Sequence, residues 1–215
     1  MYKLYNVKAW GSLAIHCLLE EMEVPYTNIW MTGGQVKAPE FRAISPLGLV
    51  PALGLADGRS LFESAAIVSF LVTAHPEKAM APVPGSDDFG EFLSWLHFMS
   101  TNLYMTNNLA IGGNYLASDE DQDRFIMAQA MTRADDYWRL LEERLADEGQ
   151  WLMGKSFSAL DLYAFMITLW GRPNEAALHG RFPGIARLAA AVRARPKLKA
   201  ALEAHGVMEL GGYSG

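Results

Sequence analysis

The sequence predicts a small α/β unit at the N-terminal end and an all-α domain after it. Three observations carry this. Over the first 75 residues, short apolar runs and amphipathic stretches alternate in the order β-α-β-α-β-β-α. The passage PEKAMAPVPGS at 76–86, with three prolines, then breaks the pattern and cannot continue a helix. From Asp87 onward apolar residues recur at helical spacing. The expected division is 1–76 for the α/β unit, 77–86 for a linker and 87–215 for the helical domain.

Residues 2–7, YKLYNV, read as the first strand. Ser12 stands where a helix can begin, and LAIHCLLEEM carries apolar residues at helical spacing. Pro25 punctuates, and YTNIW reads as the second strand. Residues 31–37, with Gly33-Gly34, read as turn-rich, and a short helix runs from about Pro39 to Ala43, proline being favoured in a first turn. VPALGL is the third strand, Asp57-Gly58 marks a hairpin, and SLF is the short fourth strand. SAAIVSFLVTAH is a helix that ends before Pro76. Two strands joined by a helix should lie parallel with a right-handed crossover, so the product is a small mixed sheet with helices on its faces, like thioredoxin. Further helices are expected near 87–110, 119–147, 158–171, 182–195 and 197–205, punctuated by glycine and proline.

Composition narrows the function. Hydrophobic residues make up 51% of the 215 and charged residues 20%, enough for a sizeable core and too ordered a balance for a disordered chain. A net charge of −6 without any Lys/Arg run argues against a nucleic-acid partner. No apolar run approaches the roughly 20 residues of a membrane span, and the N-terminus lacks the basic start and apolar stretch of a signal peptide. Neither a membrane partner nor secretion is therefore expected. The lone Cys17 excludes an intramolecular disulfide and fits a reducing, cytoplasmic location. Five scattered histidines without an HxxxH pair predict no metal.

Two segments could carry chemistry. In SPLGLVPAL, Pro51 opens a strand, where its missing N–H is a handicap. A cis Val50–Pro51 bond would turn the chain and leave the Val50 N–H and C=O outward, able to pair with an extended peptide ligand. A trans proline at an edge strand is the commoner alternative, since about 5–6% of X–Pro bonds in folded proteins are cis. In LFESAAIVSFL, Glu63-Ser64 lies at a strand-to-helix junction. Ser64 can cap the helix, whose N-terminus suits a ligand carboxylate, and Glu63 could pair with a ligand ammonium. Plain capping, with Glu63 answering the helix dipole, is the simpler alternative. A third motif, WLMGKSFSALDLYAF, sets Ser158 and Asp161 three apart, as in a capping box with Asp in place of Glu. Its role concerns folding.

In combination these segments resemble the glutathione transferases. In that family the residue before a cis-proline pairs by its backbone with glutathione, an acidic-Ser/Thr pair holds the γ-glutamyl end, and a "gxxftxADxxl" segment heads a central helix. The matching positions are Val50-Pro51, Glu63-Ser64 and the Ser158–Asp161 segment. The resemblance runs over nearly the whole chain and implies a thioredoxin-like N-terminal domain followed by a helical-bundle C-terminal domain. It also implies glutathione as co-substrate and a homodimer. The bacterial beta class is the most similar, its "ACSLAPH" opening facing WGSLAIH here. Gly11 then stands where that class has its cysteine, and Leu49 where it has a glutamine, so a mixed-disulfide mechanism cannot operate. Cys17 lies further along the helix and reads as a small buried hydrophobe.

The resemblance implies activation of the glutathione thiol for attack on a small electrophilic, hydrophobic substrate. Glutathione-dependent isomerisation, ether cleavage, dehalogenation, peroxide reduction, or ligand binding with little turnover are the alternatives. Ser12, at the start of the first helix, is the first candidate to hydrogen-bond the thiolate; capping alone is the competing explanation. Tyr5, near the end of the first strand, is the second candidate. Lys37 and Gln35 are candidates for the glycine carboxylate. Asn6 and Trp10 would line the cleft. The second substrate is expected against His97, Thr101, Tyr104 and Asn108 of one helix and Trp170 of the central one, with Phe98 and Met105 packed as core. Tyr104 falls where the beta class has a histidine facing the thiol.

Overall fold

The computed structural model describes residues 1–113 and 116–211. Its N-terminal part is a four-stranded sheet in the order β2-β1-β3-β4, built from β1 (Tyr2–Asn6), β2 (Tyr26–Trp30), β3 (Ala52–Gly54) and β4 (Ser60–Leu61). β1 pairs parallel with β2 and antiparallel with β3, and β3 pairs antiparallel with β4. The parallel pair is the one joined by a helix, α1 (Leu13–Met22), as a crossover requires. α3 (Ser64–Ala74) follows β4. The helical part comprises α4 (Asp87–Phe98), α5 (Met105–Leu109), α6 (Glu120–Glu148), α7 (Ala159–Thr168), α8 (Glu175–Arg181), α9 (Pro183–Arg193) and α10 (Lys199–His205). Among the described residues no helix is long and apolar enough to cross a membrane.

Three elements depart from the sequence expectation. Residues 31–37, read as a turn, contain the short helix α2 (Gly33–Lys37). A capping box starts it despite the two glycines: the Thr32 N–H donates to Gln35 Oε1 at 2.8 Å, and the Gln35 N–H donates back to Thr32 Oγ1 at 3.3 Å. The helix expected over 87–110 carries a π-helical segment, Met99–Tyr104, between α4 and α5. α8 was not anticipated because Pro173 and Pro183 bracket too few residues for a period to show. Asn174 caps it by accepting from the Ala177 N–H at 2.8 Å.

The helix α7 explains why the two parts form one molecule. All ten of its residues are buried, the mark of a helix surrounded by protein. α1 packs on α7, α3 and α10, so the main core runs from the sheet through α1 into the bundle. The head of α7 is pinned by Asp161, which accepts from the Leu152 and Ser158 N–H groups, both at 2.8 Å, and from the Ser158 hydroxyl at 3.2 Å. Burial pushes the Asp161 carboxyl up to about 7, against the pull of these hydrogen bonds.

A buried imidazole pair ties α10 to the sheet. The Ala9 N–H donates to His205 Nδ1 at 2.9 Å, so the neutral His205 carries its proton on Nε2. That nitrogen lies 2.9 Å from His16 Nδ1, which must accept, leaving the His16 proton on Nε2 and facing Glu20 at 3.9 Å. Asn6, also buried, donates through Nδ2 to His16 Nδ1 at 3.2 Å. Burial is the first cause that lowers both imidazoles, His205 to about 3, where His16 and Lys8 add to the effect. Their folded pKa values lie below the unfolded value near 6.5, so the unfolded chain binds more protons as pH falls. Stability is therefore fully present above about pH 6.5 and lost as pH drops toward the folded values, by about 1.4 kcal/mol per pH unit for each histidine in that window. Urea midpoints measured from pH 7 to 5 should fall accordingly, and His205→Gln should flatten the slope. An unchanged slope in that variant would assign the loss to other groups.

Candidate active site

Between the sheet and the helices lies a cavity of about 680 Å³. Its sheet-side wall begins at Val50. The Val50–Pro51 peptide is cis. β3 begins only at Ala52, and no hydrogen bond among the described residues engages the Val50 N–H or C=O. An extended peptide can therefore pair there without displacing a partner.

Next along this wall are Glu63 and Ser64. Glu63 has φ 67° and ψ 112°, an unusual backbone for a residue with a side chain, costing on the order of 1–3 kcal/mol. Ser64 opens α3, whose first N–H groups lack partners within the helix. Its hydroxyl does not cap that helix. It shares a 2.7 Å hydrogen bond with the Tyr163 hydroxyl of α7, which burial holds above the usual phenol range. The α3 terminus is thus fixed by the helical part and left open to an anion.

Trp10 and Gly11 continue the wall, just before α1. A Cβ built on Gly11 would lie 2.7 Å from Tyr104 Oη and 3.4 Å from Tyr104 Cζ. The phenol fills the space that a side chain at position 11 would need. Tyr104 closes the π-helical segment and stands edge-on to Trp170, ring centroids 5.0 Å apart. Trp170 is itself held, its Nε1–H donating to the Ala9 C=O at 3.1 Å. The rest of the cavity is largely apolar, with Leu47, Leu49, Phe62, Met105 and Ile111 on its faces.

Of the site residues singled out from sequence, Trp10, Val50, Pro51, Glu63, Ser64, Tyr104, Asn108 and Trp170 border this cavity, as do Gly11, Leu49 and Met105. Ser12, Tyr5, Gln35, Lys37, His97, Thr101 and Asn6 do not. Ser12 is fully buried; its hydroxyl accepts the Val7 N–H at 3.1 Å and donates to the Val7 C=O at 3.3 Å. It is neither a free cap nor a donor into the cavity. The Tyr5 ring packs edge-on against Phe41 in a small separate cluster. The Gln35 side chain is occupied in the α2 cap, and Lys37 is exposed at the end of that helix. His97 and Thr101 are exposed away from the cavity, and Asn6 belongs to the histidine network. Met105, expected in the core, is exposed at the cavity, whereas Phe98 packs with Trp95 and Tyr137. Cys17 is buried, its thiol pushed well above the usual range.

Sequence reasoning missed Ser100, Tyr163 and the run Gly171–Glu175, which also line the cavity. No local signal marks Tyr163. The run after α7 carried one, because an arginine between apolar Trp170 and Pro173 is out of place in a core helix end. Among the described residues no cluster of His, Cys, Asp and Glu is placed to hold a metal ion.

Comparison with known proteins bears on the whole chain. The family described as "Glutathione S-transferase, N-terminal domain" matches residues 12–74, and "Glutathione S-transferase, C-terminal domain" matches residues 110–205. The glutathione S-transferase GstA of Escherichia coli O157:H7 is 26% identical over 208 residues, covering 95% of this chain and 99% of its own. The glutathione S-transferase-like protein LUC7 of a Fusarium species is 30% identical over 152 residues, covering 69% of this chain and 68% of its own. A sphingomonad glutathione S-transferase solved in complex with glutathione superposes with a TM-score of 0.79 at 26% identity, over 95% of this chain and 99% of that one.

Proposed function

This chain belongs to the glutathione S-transferase family, and we propose that it binds glutathione in the cavity and transfers it to a small hydrophobic electrophile. One observation carries the reading. The unpartnered Val50 backbone, the open terminus of α3 and the Glu63 carboxylate face one cavity whose remaining surface is mostly apolar. Glutathione is a short peptide with two carboxylates and one ammonium. Val50 would pair with its cysteinyl backbone, the α3 N–H groups would take the γ-glutamyl carboxylate, and Glu63 would take the ammonium. Residues 1–76 would supply this half, 77–86 the linker, and 87–215 the surface for the second substrate. The same family relationship supports a homodimer, and light scattering reading twice the chain mass is its check.

The thiol needs a hydrogen-bond donor to favour its anion. We assign that role to Tyr104 in place of Ser12 and Tyr5, because its phenol oxygen occupies the side-chain space of position 11 at the head of α1. The helix terminus adds to the stabilisation of a thiolate there.

Calorimetry with glutathione tests the binding half. Saturation at about 100 times Kd should raise folding stability by about 2.7 kcal/mol. Glu63→Gly should weaken glutathione binding at least about tenfold, the loss expected for one charged hydrogen bond, while leaving Tm unchanged or raised, since the strained backbone is relieved. A Tm change without a change in affinity would give Glu63 a purely local role. No thermal shift with glutathione would remove the reading itself.

A further inference from the structure

The cavity is lined by one cation that no carboxylate among the described residues neutralises. Arg172 lies in the loop after α7, and its guanidinium makes no hydrogen bond or ion pair among the described residues. Its Nε is buried and without a partner. Two carboxylates share a pocket with it, and both are bound by other arginines. Glu175, on the same cavity wall, is bound by Arg193 at 2.6 Å and also accepts the Gly211 N–H at 3.0 Å. Asp135, in a smaller adjoining pocket of about 370 Å³ that Arg172 also borders, is bound by Arg181 at 2.9 Å. Arg181 further donates to the Arg172 C=O at 2.9 Å, which fixes the backbone of the loop while leaving the Arg172 head without a counter-ion.

Leaving a buried donor of a charged group unpaired costs about 1–3 kcal/mol or more, and in a chain of net charge −6 several carboxylates could have been placed to prevent it. The cavity surface is mostly apolar, so a charge pair formed against it is screened less than one in open water. Glutathione's ammonium and γ-glutamyl carboxylate are assigned above to Glu63 and α3, which leaves its glycyl carboxylate and the second substrate as partners for Arg172. The place of Arg172 in the helical half, where the second substrate is expected, assigns it to the latter.

We propose that Arg172 receives an anionic oxygen of that second substrate, so that the preferred electrophiles are apolar bodies carrying a carboxylate or a comparable oxyanion. The inference rests on the glutathione reading above and deepens it by naming the substrate class. A guanidinium fork matches a carboxylate in two hydrogen bonds and gives orientation as well as attraction.

Two activated aryl chlorides test it: 1-chloro-2,4-dinitrobenzene, which is neutral, and 4-chloro-3,5-dinitrobenzoate, which has a carboxylate in place of the para nitro group and its second nitro group ortho to chlorine. In both, the glutathione sulfur forms the bond to the chlorine-bearing carbon, the thiol proton goes to solvent and chloride leaves. The wild-type protein should show a kcat/KM about tenfold higher for the benzoate, after correction for the uncatalysed rates. Arg172→Met should erase that preference, leaving the neutral substrate within about twofold of wild type and the KM for glutathione unchanged. Arg172→Lys, which keeps the charge and loses the fork, should retain part of the preference. Equal wild-type rates for the two electrophiles, or an Arg172→Met variant that loses both equally, would overturn the proposal. A reaction with neither electrophile, together with no glutathione binding by calorimetry, would remove the underlying reading. Normal glutathione binding with no charge preference removes the Arg172 proposal alone.

Discussion

Replacing Tyr104 with phenylalanine is expected to raise the pKa of the bound glutathione thiol by about one to two units and to lower kcat about 10- to 100-fold near neutral pH. The magnitude follows from the interaction lost. A hydrogen bond to a charged group contributes about 1.5–3 kcal/mol, and each 1.4 kcal/mol is one unit of pKa or a factor of ten in rate. The ring survives the change, so its edge-on packing on Trp170 and the cavity shape survive too. Glutathione affinity should therefore hold at low pH, where the bound thiol is protonated, and weaken only where it is ionised. The ultraviolet absorbance of the thiolate, titrated with saturating glutathione, reads the shift directly. Ser12→Ala is the paired control. Its hydroxyl is enclosed on the Val7 peptide, so the variant should lose about 1–2 kcal/mol of stability and leave the thiol pKa alone. The reverse pattern would return the role to Ser12.

Asp161→Ala should produce the largest loss of stability, about 3–6 kcal/mol. The substitution orphans the Leu152 and Ser158 N–H groups in a dry site, each costing about 1–3 kcal/mol, and removes half of a capping box. At about 2–4 °C per kcal/mol for a chain of this size, Tm should fall by roughly 10–20 °C, and much of the protein should be lost on expression. Asp161→Asn keeps an acceptor oxygen and should cost about half as much. Protein that still folds should bind glutathione with unchanged affinity, because Asp161 lies outside the cavity and acts only through the position of α7. A weakened affinity in folded protein would show that the effect reaches the cavity.

The legibility of this chain follows the range of the forces involved. The element order, the hairpin at Asp57-Gly58 and the Ser158–Asp161 cap depend on neighbours within a few residues, and the parallel pair follows from the handedness of a strand–helix–strand unit; all were readable, whereas the pairing of β1 with β3 across the sheet was not. α2 was hidden because Gly33-Gly34 signals a turn more loudly than Thr32 and Gln35 signal a capping box. The π-helical segment was hidden because one wide turn leaves the apolar period almost unchanged. At the cavity, sequence brought out the pieces that carry local backbone signatures, Val50-Pro51 and Glu63-Ser64. It could not see side chains that depend on distant contacts. Nothing near Ser12 announces that its hydroxyl turns to Val7, nothing near Gly11 announces a phenol supplied 93 positions later, and nothing near Arg172 announces that Glu175 and Asp135 are already taken.

Ala9 has a consequence for how such a chain can be divided. It sits in the left-handed region at φ 55°, next to Trp10 and Gly11, and both of its peptide groups are held from the far side of the molecule, the N–H by His205 and the C=O by Trp170. The rim proposed to carry the reacting thiol is therefore shaped by residues of the other half. Shuffling the two halves among relatives would transplant an intact sheet or an intact bundle, yet not this rim. The heritable unit of the chemistry is the pair, and positions 9, 170 and 205 would have to travel together.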